Sequence, residues 1–515
     1  LPIEVLGSTL HSPFFIGFAM KALRLSFSRC LMFCVLCGAG FTVNLSYADT
    51  FLAITDIHFN PLHGLTKAQF QQLMEKPTRQ WGDYFESLAQ APSQPGEDSN
   101  YALMATALDA AKREAPEASF VLYMGDFLAH DWQASYDKVA RKSLRDDPEA
   151  YQKFTKNVLK MLALEFQKRF SDIPIFATLG NDDAFCADYW IQPSSEFNRH
   201  FAEIWLPLLK GTVEPKPFTE SFHQFGAFTA ELRGLSGQRL VVLNSVYWSS
   251  SYCDDYFKPD SRGCCQCENP GPLPGRKQIA WLEQELDLAK RENKRVWLVM
   301  HVPPGLDSYA EQKAGGKCLT ASMWTPEFTT RYLEIVEKYE SVLQVGFAGH
   351  THMDDFRVTM HEGRPLLVHK LVPAVSPIFK NRPAFQIFQW DSARRVVQNW
   401  QTYQFDPVAQ PKVGVSAWSE EYDARESYAL EEMTGASVAT LIEKATQPTG
   451  TAFARAYAQF YSVSASELAE KNLPVYFSAV LNPLYSDFAA RLTKLKPGTT
   501  VQRGPQGQMR RPKNQ

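Results

Sequence analysis

Phe51-Leu52-Ala53-Ile54-Thr55-Asp56-Ile57-His58 runs from an unbroken apolar stretch into an Asp-x-His pair. Four later stretches end in a similar way. Phe120–Met124 leads to Gly125-Asp126, and Ile173–Leu179 leads to Gly180-Asn181-Asp182. Val296–Met300 leads to His301-Val302-Pro303-Pro304-Gly305, and Val342–Ala348 to Gly349-His350-Thr351-His352. Short apolar runs closed by polar or glycine residues read as β-strands. In open α/β sheets, ligands gather outside the carboxyl ends of such strands. The set supplies Asp56, His58, Asp126, Asn181, His301, His350 and His352, a mixture of carboxylate, amide and imidazole donors. These suffice for two divalent cations that share one carboxylate. A single fragment could be accidental, since a lone histidine in an apolar segment is commonly a satisfied core residue. Only eleven histidines occur in the chain, however, and four of them sit at these run ends, which packing alone does not account for. Two neighbouring metal ions can polarise a phosphoryl group and lower the pKa of an attacking water.

Helical patterns alternate with these runs. In Lys277–Asn293, Ile279, Leu282, Leu286 and Ala289 fall on one apolar face, and Tyr332–Tyr339 repeats the idea. After the last motif, Phe356–Met360, Pro365–Leu371 and Phe385–Trp390 are strand-like and close together, and are expected to form a second sheet. Alternating βα units followed by a strand cluster predict two mixed sheets packed face to face with helices outside. Beyond about Asp406, Ser427–Leu441 and Ser464–Leu492 are expected to be helical, with apolar packing faces and no metal-type motif. Trp81–Ser99, ending in Pro92, Pro95 and Gly96, reads as a long loop near the first ligands. The expected organisation is residues 1–48 as an N-terminal extension and cleaved leader, 49–405 as the catalytic domain, 406–495 as a helical subdomain and 496–515 as a disordered tail.

A net charge of −3 over 515 residues favours neither a nucleic-acid polymer nor an anionic membrane surface as partner. Near the N-terminus, Met20, Lys21, Arg24 and Arg29 precede an apolar stretch from about Cys30 to Val43, then Ser46-Tyr47-Ala48. This order is that of a secretory signal peptide cleaved after Ala48, so an exported, periplasmic or secreted protein is expected. The apolar core falls short of the roughly 20 residues of a membrane span, and Leu36 before Cys37 argues against a lipoprotein. No stable membrane insertion is expected, and the oligomeric state is left open. Cys186, Cys253, Cys264, Cys265, Cys267 and Cys318 remain after such a cleavage, and an even number in an oxidising compartment favours disulfides. Cys264-Cys265-Gln266-Cys267 could instead hold zinc, although it lacks a second cysteine pair or paired histidines. Stapling of the Tyr252–Gly275 loop above the site is the preferred role.

In order, the motifs resemble those of the calcineurin-like metallophosphoesterase superfamily. Gly125-Asp126-Phe127-Leu128-Ala129-His130-Asp131, His301-Val302-Pro303-Pro304-Gly305 and Gly346-Phe347-Ala348-Gly349-His350-Thr351-His352 are similar to its acid sphingomyelinase-like phosphodiesterase branch. Asn244-Ser245-Val246-Tyr247-Trp248 fits the same branch. The resemblance implies a four-layer α/β/β/α sandwich. It places Asp56, His58 and His352 on one metal and Asn181, His301 and His350 on the second, with Asp126 bridging. It further implies in-line attack on phosphorus by metal-activated water, without a covalent intermediate. Zinc is the expected metal, and manganese or iron also suit the donors.

The chain departs from the family where a histidine normally follows the ligand asparagine; here stands Asp182, followed by Asp183. A carboxylate with an ordinary pKa of about 4 is a poor acid at neutral pH, unless burial raises it. His130 matches the branch's other active-site histidine and is the alternative proton donor. Trp132, Trp190, Tyr247 and Trp248 could stack on a base or meet a choline cation, or could be core. Sphingomyelinases of the family carry an N-terminal lipid-binding domain, and only about seven residues separate the expected cleavage from Asp56. A soluble phosphodiester or phosphoanhydride, such as a nucleotide, is therefore the expected substrate. Sphingomyelin, phosphomonoesters and polyphosphate are the alternatives, and a metal-containing secreted binding protein is the non-enzymatic one.

Overall fold

The run at the head of the motif set forms strand β1 (Asp49–Ile54), whose last four residues are all buried. A strand covered on both faces needs no polar alternation, which is why the run is continuously apolar. The computed structural model describes residues 49–143, 145–232, 234–254, 267–313, 322–406, 417–446 and 451–495. The expected leader, Cys264, Cys265, Cys318 and the tail from Lys496 lie outside them. The described residues belong to one contact unit.

The remaining strands are β2 (Val121–Tyr123), β3 (Ile175–Ala177), β4 (Phe228–Glu231), β5 (Gln238–Val242), β6 (Arg295–Val299) and β7 (Leu343–Ala348), followed by β8 (Asp355–His361), β9 (Arg364–Leu371), β10 (Ala384–Asp391), β11 (Val396–Phe405) and β12 (Trp418–Asp423). They make two six-stranded mixed sheets, β12-β11-β10-β1-β2-β3 and β4-β5-β6-β7-β9-β8. β1, β2 and β3 are parallel, as are β5, β6, β7 and β9. The two inner faces meet in an aromatic layer. Phe51 lies 5.3 Å from Trp297 and 5.6 Å from Phe347, and Trp297 lies 4.8 Å from Trp390. Helices such as Tyr101–Glu114, Leu273–Arg291 and Pro326–Lys338 cover the outside, giving the α/β/β/α sandwich.

Three expectations change. The strands after the last motif do not form a sheet of their own. β8 and β9 complete one sheet, with β9 parallel to β7, whereas β10 crosses to the other and pairs antiparallel with β1. Each parallel centre had an open edge, and adjacency in sequence does not say which edge a strand will close. Secondly, Trp81–Ser87 is a helix rather than loop, because Trp81 and Phe85, one turn apart, both enter the core. Finally, the region after Asp406 contributes β12 to the first sheet before its helices Gly435–Ala445, Ala452–Phe460, Leu473–Leu481 and Tyr485–Leu495. The helix Ala452–Phe460 falls between the two expected helical stretches. Within the described residues, no helix is long and apolar enough to cross a membrane.

Candidate dinuclear metal centre

Each sequence-derived ligand follows the carboxyl end of a parallel strand: Asp56 and His58 after β1, Asp126 after β2, Asn181 after β3, His301 after β6, and His350 and His352 after β7. At these ends the chain must turn sharply while aiming side chains inward. Asp56, His58, Asp126, His350 and His352 accordingly have positive φ, between +43° and +73°. L-residues rarely adopt this conformation, and clusters of it mark functional sites. Two glycines make room for the carboxylates. A Cβ on Gly180 would run into the Asp126 side chain, and one on Gly349 into Asp56.

The seven side chains converge. Asp126 Oδ2 lies 3.3 Å from His58 Nε2 and 3.0 Å from His301 Nε2, so one carboxylate oxygen faces both halves of the centre. On one side, His352 Nε2 is 3.1 Å from His58 Nε2 and 3.3 Å from Asp56 Oδ1. On the other, His301 Nε2 is 2.9 Å from Asn181 Oδ1, and His350 gathers with Asp126 and His301. All are buried except His350, which is partly exposed and has Tyr189 Oη 3.2 Å from its Nε2.

Fixed tautomers leave lone pairs pointing at one another. Nδ1 of His58 donates to the Leu128 carbonyl at 2.9 Å, and Nδ1 of His301 donates to the Met124 carbonyl at 2.7 Å. Their Nε2 atoms therefore face the centre as acceptors in the neutral rings. The Asn181 amide nitrogen donates to Asp188 at 2.7 Å and to Asp182 at 3.2 Å, which turns its oxygen inward. Carboxylate, amide and imidazole lone pairs thus meet, an arrangement that divalent cations satisfy and that fits two of them. Without a cation, burial lowers the His301 pKa, yet Asp126 and Asp56 outweigh it and raise it to about 9. His352 is held neutral, down to about 3, chiefly by burial. Burial works against the Asp56 carboxylate too, but His352 and His58 hold it at about 2.

Both candidate proton donors border the centre. His130 stacks on His58 with ring centroids 3.9 Å apart, and its side chain is 28 % exposed. Asp182 Oδ2 lies 3.7 Å from His58 Nδ1 and 3.9 Å from His130 Nε2, and its backbone N–H donates to Asp126 Oδ1 at 3.0 Å. Burial, reinforced by Asp188 and Asp126, pushes Asp182 well above the usual carboxylate range. The carboxyl that stands at the position after Asn181 is thus shifted toward its protonated form by burial and by its acidic neighbours.

Sequence reasoning missed two supporting carboxylates. Asp183 accepts from the backbone N–H groups of Asp126 and Phe127 at 2.9 Å, Leu128 at 3.2 Å and Gly180 at 2.8 Å, tying the second and third motif loops together. Asp98 holds His130. The Asp-Asp doublet hinted at the first; no local signal marked the second. Trp132, Trp190, Tyr247 and Trp248 are buried, at most 5 % exposed, and are core rather than a stacking surface. A disulfide joins Cys186 to Cys267 and staples the loop at Cys267 to the segment following Asn181. Cys253, against expectation, is a buried free thiol that packs against Trp190 and Cys186.

The model of the family described as calcineurin-like phosphoesterase matches residues 50–354. Human acid sphingomyelinase-like phosphodiesterase 3b is 27 % identical over 416 residues, covering 76 % of this chain and 79 % of that protein. Mouse cyclic GMP-AMP phosphodiesterase SMPDL3A is 24 % identical over 459 residues, covering 86 % and 92 %. Bovine sphingomyelin phosphodiesterase is 27 % identical over 327 residues, covering 60 % of this chain and 44 % of that one.

Proposed function

The chain belongs to the calcineurin-like phosphoesterase family and is a metal-dependent phosphoric ester hydrolase, and from that premise we propose an exported dinuclear phosphodiesterase acting on soluble phosphodiesters or phosphoanhydrides such as nucleotides. The observation that carries the reading is the single Asp126 oxygen facing both His58 and His301. Asp56, His58 and His352 would hold one ion and Asn181, His301 and His350 the other, with Asp126 between them and zinc the expected metal. Bound there, the pair supplies Lewis-acid polarisation of the phosphoryl group and an activated water.

The chain's own residues do the rest. Asp183 fixes the loop that presents Asp126, and Asp188 keeps the Asn181 oxygen turned inward. His130, braced by Asp98 and partly open to solvent, is positioned to give a proton to the departing oxygen. Asp182, enclosed beside the centre, accepts from the Asn181 amide nitrogen at 3.2 Å, and its main task is to orient Asn181. Support for a soluble substrate comes from the relative named a cyclic GMP-AMP phosphodiesterase, which aligns over most of both chains. The sphingomyelin phosphodiesterase aligns over less than half of its own length.

A substrate panel on metal-replete protein tests the proposal: bis-aryl phosphate, aryl monophosphate, ATP, CDP-choline, polyphosphate and sphingomyelin vesicles. Diester or anhydride turnover above that of the monoester and of sphingomyelin is expected. Preference for sphingomyelin would move the substrate to lipid, and no turnover by protein containing two metals would leave the binding-protein alternative. Export predicts that the mature chain starts at Asp49, which N-terminal sequencing reads directly.

A further inference from the structure

Phe379 stands 52 % exposed at the rim of the histidine cluster. Isolated exposed apolar side chains are ordinary on protein surfaces, so exposure alone carries nothing. The neighbours of this ring are what matter. It meets His352 at 4.7 Å between centroids and 69°, and His130 at 5.7 Å and 82°. One residue of the centre and the adjacent proton donor thus share a single aromatic neighbour, half of which remains open.

The turn that carries the ring is fixed to the site. The Ser376 backbone N–H donates to the Asp56 carbonyl at 3.0 Å, and Ser376 Oγ donates to Asp98 Oδ1 at 3.1 Å. Pro377 O accepts from the backbone of both Gly96 and Lys380 at 2.9 Å, and Asn381 Nδ2 donates to Ser376 O at 3.1 Å. Lys380 closes the turn at φ +65°, in the left-handed region. These bonds reach the carboxylate that braces His130 and the backbone of Asp56, so the ring is pre-set relative to the reacting groups. A rigid aromatic held beside water and left half open by the described residues is suited to a planar partner that arrives with the substrate.

We propose that Phe379 is a specificity-determining residue: a planar aromatic or heteroaromatic leaving group of the phosphodiester stacks on its ring. The leaving side is assigned because the ring touches His130, which faces the departing oxygen. This inference rests on the phosphodiesterase reading and names a substrate class within it.

The test compares two diesters of similar leaving-group acidity but different shape, methyl phenyl phosphate and methyl hexafluoroisopropyl phosphate. Calorimetric binding of phenylphosphonate, methylphosphonate and phosphocholine to the same metal-replete proteins runs beside it. Phe379→Ala is expected to lower kcat/KM for the phenyl ester about ten-fold, the effect of losing one stacked ring, and to change the fluoroalkyl ester less than about three-fold. Phenylphosphonate binding should weaken in step, and Phe379→Trp should restore both. Equal losses on the two esters, or none on either, would overturn the proposal. A binding loss confined to phosphocholine would also overturn it, by assigning the ring to a quaternary ammonium. If the wild type hydrolysed neither ester, the phosphodiesterase reading would fall, and the phenylphosphonate arm alone would decide whether Phe379 is an aromatic platform.

Discussion

Asp98 grips His130 from two directions: its Oδ1 is 2.9 Å from the ring Nδ1, and its Oδ2 accepts the His130 backbone N–H at 2.9 Å. Ring and main chain are held by one carboxylate, which leaves Nε2 aimed toward the centre. Burial lowers the His130 pKa, but the hydrogen bond and charge of Asp98 outweigh it and raise it to about 9. Asp98 thus favours the protonated ring, the form that can donate.

His130→Ala should cost roughly 10²–10⁴-fold in kcat with alkoxide or nucleoside leaving groups and far less with nitrophenolate, which needs no proton. Asp98→Asn should keep the ring in place and remove the charge that raises its pKa. Because a donor works only while protonated, wild-type activity should fall as pH rises through about 9. In Asp98→Asn that limb should move toward the ordinary histidine value. Asp182→Asn should show little leaving-group dependence; a large one would make Asp182 the donor instead. The measurement is a set of pH–rate profiles on paired substrates.

Glu421 carries a separate pH dependence. One of its oxygens is enclosed without a hydrogen-bond partner among the described residues, while Oε1 accepts from Ser464 at 2.6 Å. Burial raises its pKa to about 8 from an ordinary value of 4.5. The folded state then holds a proton that the unfolded state releases, so this group's contribution to stability is lost as pH rises from about 4.5 through about 8. Glu421→Gln should stabilise the protein at pH 8 by about 1–3 kcal/mol and leave it little changed near pH 4. Urea unfolding at the two pH values checks the sign.

Lys370 and Asp354 form an ion pair in which both side chains are fully buried. Asp354 Oδ2 also accepts from Gln386 at 2.8 Å and Tyr422 at 2.7 Å, and its backbone N–H donates to Tyr461 O at 2.9 Å. The pair lies between the sheets, two residues beyond His352, and ties the last motif loop to the C-terminal helices. Lys370→Met should cost about 3–5 kcal/mol, because it strands a buried carboxylate. Adding Asp354→Asn should recover part of that loss. An unchanged denaturation midpoint in the single variant would contradict the role given to the pair.

The convergence of the seven candidate residues was legible because strands buried on both faces leave long apolar runs, and the residues just beyond such runs must sit at one sheet edge. Asp56 through His352 could thus be collected without knowing any contact. The sheet assignment of β8, β9 and β10 was not legible, since either sheet offered an edge and the choice depends on a crossover through Val375 and Ser376 to the β1 loop. Asp98 and Asp183 were missed for a different reason. They act through hydrogen bonds spanning 32 and 57 residues, and such pairings leave no periodicity in the chain. The helix at Trp81 was overlooked because a single turn of apolar spacing is hard to tell from loop. The positive φ values at Asp56, His58, Asp126, His350 and His352 carry no sequence signature except the glycines beside them.

Metal content of purified Asp126→Asn protein, measured beside wild type by elemental analysis after metal reconstitution, addresses the central claim most directly. If one Asp126 oxygen serves both halves of the centre, wild type should bind two equivalents of divalent metal. The variant should keep at most one and lose more than about 100-fold in diester turnover. A variant that retained two equivalents and wild-type turnover, or a reconstituted wild type that bound none, would contradict the account.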